Sequence, residues 1–303
     1  MNSTSLSEEL AEIAGLKVRT NVPLARFTTF KIGGPARVVI TPERVESLQA
    51  AMRVLSASGA RTYVMGNGSN LLVSDAGFDG AVIRIGSSLS GMDIEGEDRL
   101  RVGAGTMWGR VLRFCAKEGW TGLEFGAGIP GNLGGAVATN AGTRLGETSD
   151  ALIEATVVTK EGERRVLSRA ELGFEYRHSH LPEGSVVVEV LLRVERGDPA
   201  RISETIDAYL AQRRRDQPER ESSAGCVFKN PPGRSAGKLI DDAGLKGIVE
   251  GGAIVSPVHG NFLVNQGGAT AADVLRLIER IRQRIRAEHA VELELEVRLV
   301  GFE

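Results

Sequence analysis

Between Gly126 and Gly142 the chain places six glycines in a run that is otherwise apolar and almost uncharged. A solvated linker of that glycine content would be polar. An apolar one predicts backbone packed closely against a flat ligand or another strand. The excess is general, with 38 glycines among 303 residues against a usual share of ~7%, and they cluster rather than repeat. A second cluster, Gly66-Asn67-Gly68-Ser69-Asn70-Leu71, follows a predicted strand over 61–65. A Rossmann fingerprint would need a third glycine where Leu71 stands and a helix after it. The next segment reads as strand, so a Rossmann site is not expected, and no Gly-Lys-Ser/Thr phosphate loop occurs. What remains is main chain whose N–H groups can approach a pyrophosphate. A plain turn would account for this loop alone; two such loops favour a large cofactor with a diphosphate and a planar ring.

The periodicity predicts an α+β chain. Leu6, Leu10, Ile13 and Ala14 mark a short helix stopped by Gly15. A strand over 36–40 leads to Thr41-Pro42, read as a helix start. Val45, Leu48, Met52 and Leu55 then form a stripe ending at Gly59. Strands are expected over 81–85, 100–102, 153–159 and 186–194, and a helix capped by Thr106 carries Met107, Val111, Leu112 and Phe114. Gly197-Asp198-Pro199 marks a boundary, followed by a helix with Ile202, Ile206, Tyr209 and Leu210 on one face. A strand over 261–264, a helix capped by Thr270 with Asp273 three residues on, and a terminal strand over 291–300 complete the chain. The Thr270 helix carries Val274, Ile278, Ile281 and Ile285 as its buried stripe.

Composition excludes several classes. A net charge of −2 argues against a dedicated nucleic-acid binder, whose surface needs excess Lys and Arg. Cys115 and Cys226 are too few for a disulfide framework or a multi-cysteine metal site. The polar start, 1–16, lacks an apolar signal core, and no run of ~18 apolar residues predicts a membrane span. The expected compartment is the cytoplasm.

Few residues stand out as carriers of chemistry. Cys115 sits on a helix face and reads as a small apolar core residue. Cys226 follows glycine in a predicted loop, and a thiol, with reference pKa ~8.5, is mostly protonated at neutral pH and able to donate a proton. Lys229, three residues on, would favour the thiolate if it lay close to the sulfur, and a thiolate cannot donate. Arg177 and Glu296 are individually ordinary, Glu296 sharing one face of the terminal strand with Glu292 and Glu294. His178 and His180 have no further ligands clustered with them, so no metal site is expected. The run Arg213-Arg214-Arg215 either complements a helix dipole or faces substrate phosphates.

Taken in order, the motifs resemble those of the UDP-N-acetylenolpyruvoylglucosamine reductase family. The resemblance runs from about Asn21 to the C-terminus. It rests on Thr28-Thr29-Phe30-Lys31-Ile32-Gly33-Gly34-Pro35-Ala36, Gly66 to Leu72, Gly128-Ile129-Pro130-Gly131 with Gly134-Gly135-Ala136 and Asn140-Ala141-Gly142, and Tyr176-Arg177. It continues in Ala224-Gly225-Cys226-Val227-Phe228-Lys229-Asn230-Pro231, Ala236 to Asp241, and Leu293-Glu294-Leu295-Glu296-Val297-Arg298.

The resemblance implies an α+β fold with a two-subdomain FAD-binding lobe of the vanillyl-alcohol-oxidase type and a smaller α+β substrate-binding domain. The expected divisions are a lead-in over 1–20, the FAD lobe over 21–198 (subdomains 21–85 and 86–198) and the substrate domain over 199–303. It implies FAD as cofactor, NADPH as co-substrate and a sugar nucleotide as substrate, without nucleic acid or membrane; a monomer is expected. The FAD contacts would be Gly66, Asn67, Gly68, Ser69, Asn70, Leu71, Gly128, Ile129, Pro130, Gly131, Gly134, Gly135, Ala136, Asn140 and Gly142. Hydride reaches the substrate's C3, Arg177 stabilises the charge developing at C2 and its carboxylate, Glu296 orients the enolpyruvyl group, and Cys226 stands where the family's proton donor, usually serine, is found. Arg213, Asn230, Lys238, His259 and Asn261 are the expected substrate contacts. With tyrosine only at 63, 176 and 209, the chain fits the family's shorter class. Leu295 and Thr139 replace a frequent proline and methionine without altering a proposed catalytic group. The competing readings are another FAD enzyme on the same scaffold, such as a carbohydrate or alcohol oxidase, and a nucleotide-binding protein without chemistry.

Overall fold

Two separate apolar cores form in the computed structural model, which describes residues 3–218 and 220–302. They belong to two units. The first comprises residues up to Thr20, Arg37–Asn67 and Gly80–Ala211; the second comprises Asn21–Ala36, Gly68–Asp79 and the residues from Gln212 on. The expected boundary at 198/199 precedes a helix that spans the two units' division at 211/212. The helix Pro199–Asp216 buries Ile202 and Ile206 in the first core. A helical stripe shows that a helix needs a partner, not which partner it takes.

A four-stranded sheet, most of whose residues belong to the first unit, runs in the order Leu16–Pro23, Pro35–Pro42, Phe78–Arg84, Thr62–Met65. The last two strands run parallel. The first unit also holds a five-stranded antiparallel sheet ordered Arg164–Ser168, Leu152–Val158, Val186–Arg193, Arg99–Gly103, Met92–Glu95. Cys115 is only 1% exposed, as a small core residue should be. Helix Val45–Ser58 ends where expected, at Gly59 with φ +65°, a conformation in which glycine escapes the Cβ penalty.

Several local expectations shift. The first helix, Ser3–Ala11, stops before Ile13 and Ala14; Met1 and Asn2 lie outside the described residues. Thr41 and Pro42 finish the strand Pro35–Pro42 instead of opening a helix, and Arg44 takes the N-cap position. Met107, not Thr106, caps helix Trp108–Glu118. Thr106 is buried, and its hydroxyl pairs with the main chain of Gly91. The segment 126–142 is not loop throughout, since Leu133–Ala138 is helical.

In the second unit an antiparallel sheet runs Ser222–Cys226, Phe262–Asn265, Ala253–Val255, Val249–Glu250. Helix Ala271–His289 covers it with Val274, Leu277, Ile278, Ile281 and Ile285. Its start is the expected reciprocal cap between Thr270 and Asp273, and the Asp75 carboxylate accepts from Ala271 and Ala272 N–H at 2.8 and 3.1 Å. The terminal strand is shorter than its alternation predicts. Only Arg298–Val300 is strand, parallel to Leu71–Val73, while Leu295 bridges to Phe228. The segment changes partners along its length, which breaks the regular ladder.

Candidate active site

In the second unit the main chain next to Cys226 is bonded to that of Glu296. Cys226 is the last residue of strand Ser222–Cys226, not a loop residue; it is half-buried and pairs in register with Phe262 after an irregularity beyond Ser223. The carbonyl of the next residue, Val227, accepts from Glu296 N–H at 2.8 Å and from Val297 N–H at 3.3 Å. Lys229 N–H donates to Glu294 O at 2.9 Å, closing the same short ladder. The thiol and the carboxylate therefore sit on adjoining backbone. Lys229, which sequence set against the cysteine, turns its ammonium to Glu294 at 3.3 Å.

Asn261 is buried and acts through the main chain. Its Oδ1 accepts from Phe228 N–H at 2.9 Å and its Nδ2 donates to Phe228 O at 2.8 Å. This amide grips one peptide of the Cys226 segment on both sides. Asn230 is exposed and accepts from Ala236 N–H at 3.0 Å, helping to cap helix Ala236–Asp242. Lys238 lies exposed on that helix with its ammonium 3.0 Å from Asp242. Arg213 stands half-buried near the end of helix Pro199–Asp216.

His259 packs against Gly237 of the same helix, where a Cβ would lie 2.6 Å from the ring. Its Nδ1 accepts from Asn261 N–H at 3.1 Å. Burial, with the nearby Lys246 charge, holds the imidazole below its ordinary pKa of 6.5. The unfolded chain therefore takes up a proton that the folded chain refuses until lower pH. Stability is full above about 6.5 and falls as pH drops through the folded value. Thermal melts at pH 7.5 and 5.5 should show this loss, and His259→Asn should show a smaller acid-induced drop than the native chain. An equal drop in both would remove His259 as its source.

The first glycine loop is divided by its packing. Gly66 and Asn67 follow strand Thr62–Met65 in the first unit; Gly68, Ser69 and Asn70 belong to the second, and Leu71 is the buried first residue of strand Leu71–Val73. Gly68, at φ +63°, passes so close to Phe27 O that any Cβ would collide with it. Gly68 O accepts from Thr29 N–H at 3.2 Å, and the Thr29 hydroxyl donates to Ser223 O at 2.7 Å. Asn70 donates from Nδ2 to Glu296 O at 3.1 Å and accepts at its carbonyl from Arg298 N–H at 3.0 Å. The loop thus reaches the strand bearing Cys226 and the backbone of Glu296. Thr29 was visible only as part of a motif; nothing local in the sequence marks its partners.

In the first unit Arg177 stands third in a tight turn closed by Glu175 N–H to His178 O at 3.0 Å and His178 N–H to Glu175 O at 3.1 Å. Its φ is +59°, uncommon for a residue with a side chain. Its Nη2 donates to Gly142 O at 3.1 Å, and the guanidinium lies 4.9 Å from the exposed Tyr176 ring. Gly142 itself has no room for a Cβ, which would meet that of Glu147 at 2.6 Å. Gly128 and Gly134 are half-buried, Gly131 is buried, Ile129 packs against the core, and Pro130 and Gly135 are exposed. Ala136 is buried in the first core and Asn140 is wholly buried, so the side chains of both are inside the protein.

Main chain of this kind, in each unit by itself, suits the approach of a nucleotide cofactor. A trans peptide directs its N–H opposite to its C=O, so with Gly68 O turned to Thr29 the Ser69 N–H is presented on the other side. In the first unit the segment 128–136 is itself apolar and nearly uncharged. Among the described residues no group of three or more His, Cys, Asp or Glu side chains is placed to hold a metal.

Comparison with known proteins agrees. Residues 36–168 match the FAD binding domain family, and part of the chain shares the fold of Phl p 4.0202, a glucose dehydrogenase, at a TM-score of 0.50 and 16% identity over 64% of this chain and 44% of that one. The molecule is a flavoprotein with a vanillyl-alcohol-oxidase-type FAD lobe and a separate C-terminal α+β domain. Residues 217–300 match the C-terminal domain of UDP-N-acetylenolpyruvoylglucosamine reductase. A reductase of that name from Phenylobacterium zucineum is 43% identical over 94% of this chain and 95% of its own length; one from Bacillus subtilis is 40% identical over 97% of both. The crystal structure of the Thermus caldophilus enzyme superposes with a TM-score of 0.83 at 43% identity, covering 94% of this chain and all of that one. The chain belongs to the UDP-N-acetylenolpyruvoylglucosamine reductase family.

Proposed function

We propose that this chain reduces the enolpyruvyl ether of UDP-N-acetylglucosamine to UDP-N-acetylmuramate, with FAD as cofactor and NADPH as reductant, in peptidoglycan precursor synthesis. The observation that supports the residue assignment is the backbone junction at Val227, whose carbonyl accepts from Glu296 N–H and so brings the main chain next to Cys226 against that of Glu296. Bound FAD supplies hydride equivalents taken from NADPH. Gly66 to Leu71, Gly128 to Gly131, Gly134 to Ala136 and Gly142 would hold it, largely through main chain.

The chain's own groups manage charge and protons. Arg177 offsets the negative charge that develops at C2 and the attached carboxylate, a fixed cation aimed at transition-state charge. The Cys226 thiol delivers a proton to C2, and the resulting thiolate is reprotonated from solvent. Glu296 polarises and orients the enolpyruvyl group. Lys238, Asn230, Arg213 and His259 are the contacts proposed for the sugar nucleotide. The exposed Lys238–Asp242 pair contributes little by itself, so the lysine can exchange its partner for a phosphate. No helix among the described residues is long and apolar enough to cross a membrane; the cytoplasm is the proposed compartment and a monomer the proposed state.

A visible absorption spectrum of the purified protein tests the cofactor, and NADPH consumption tests the reaction. The protein should be yellow and should oxidise NADPH stoichiometrically with the enolpyruvyl sugar nucleotide. A colourless protein that takes up no added flavin defeats the reading. Oxygen consumption with simple sugars would favour an oxidase instead.

A further inference from the structure

We infer that Asn140 is the residue that positions Arg177, acting on the reaction through the arginine rather than on the cofactor. The inference rests on the role proposed for Arg177. Asn140 is 0% exposed and sits at φ +43°, a left-handed conformation that asparagine tolerates better than most residues. Both ends of its amide are engaged: Oδ1 accepts from Ser149 N–H at 3.0 Å, and Nδ2 donates to Glu175 O at 3.0 Å.

Glu175 opens the turn whose third residue is Arg177. Its carbonyl therefore takes two donors, His178 N–H from within the turn and Asn140 Nδ2 from outside it. Two residues after Asn140, Gly142 O receives the Arg177 guanidinium. The short segment 140–142 thus grips the turn at its base and the side chain near its tip. The segment is itself anchored, with Ala141 N–H on Ala136 O at 2.8 Å and Thr148 N–H on Ala141 O at 2.9 Å.

Such a clamp has a purpose. A positive φ at a residue bearing a side chain costs ~1–2 kcal/mol and persists only where its surroundings over-determine it. Without the Asn140 donor the base of the turn is held by one bond fewer, and the arginine can relax toward negative φ. That would swing the guanidinium away from the direction set by Gly142 O. A charge-stabilising group displaced by ~1 Å can lose ~10²-fold in rate.

Asn140→Asp keeps the shape and the acceptor for Ser149 but replaces the donor facing Glu175 O. Asn140→Gly removes the amide while suiting the backbone, and carries the same comparison should the aspartate variant fold poorly. Each is made alone and with Arg177→Ala. Flavin content is read from visible absorbance, and the two half-reactions from rapid mixing with NADPH and then with the enolpyruvyl sugar nucleotide. The expected result is full flavin content, unchanged reduction by NADPH, and a substrate half-reaction slowed ~10²-fold. In the Arg177→Ala background the Asn140 change should add nothing. Lost flavin, a slowed NADPH step, or equal slowing with and without Arg177 overturns the inference. Normal substrate reduction in Arg177→Ala alone instead refutes the role of the arginine, and the inference falls with it.

Discussion

Cys226→Ala is expected to leave flavin reduction by NADPH intact and to slow reduction of the enolpyruvyl substrate by about 10²–10⁴-fold, the usual contribution of a positioned general acid. The two half-reactions separate because the role proposed for the thiol lies only in the second. Cys226→Ser should retain much of the rate, since a hydroxyl on the same carbon can donate along the same line. The position allows this exchange: Cys226 ends a strand, and Val227 behind it is tied to Asn261, Glu296 and Val297. A one-atom change at the sulfur leaves that frame alone. Stopped-flow spectra of the flavin band distinguish the variants. Undiminished turnover in the alanine variant would remove Cys226 from the mechanism, and equal losses in alanine and serine would point to packing rather than proton donation.

Arg177→Ala should cost about 10²–10³-fold in the substrate half-reaction, or ~2.7–4 kcal/mol, as for loss of one preorganised donor at a developing anion. Arg177→Lys should recover only part of this. A lysine keeps the charge but lacks the planar fork, one nitrogen of which reaches Gly142 O while the others can pair with a carboxylate. The loss should appear in the maximal rate of that half-reaction more than in substrate affinity, because the charge it meets is greatest in the transition state. A variant with raised KM and unchanged kcat would reassign Arg177 to ground-state binding.

The residues that sequence singled out divide by how far their partners lie along the chain. Cys226, Arg177 and Glu296 were named from motif order alone, but nothing in that order showed that Val227 joins the first and the last. Asn140 and Asn261 were expected at ligands because the family resemblance carries cofactor and substrate contacts onto those positions. Each proves buried and bonded to backbone, Asn140 to a carbonyl 35 residues away and Asn261 to a peptide 33 away. Leu71 and Ala136 stand in the right motifs with their side chains buried, which leaves only main chain for a cofactor. The glycines invited the simplest reading, room for a ligand. At Gly68 and Gly142 the nearest neighbour is the protein's own chain.

What the sequence determined unaided is what short-range physics controls. The cap of Thr270 and Asp273 and the stop at Gly59 involve groups within four residues of one another, so they are legible wherever they occur. The rejection of a Rossmann loop was equally local, resting on Leu71 and the strand it begins. The tertiary structure alone decided that helix Pro199–Asp216 packs into the first core, and that residues 291–300 change partners instead of forming one strand. It alone joined Asn70 to Glu296 across 226 residues. Hydrogen bonds and burial depend on distance in space, and a chain folded over two cores makes that distance nearly independent of distance in sequence.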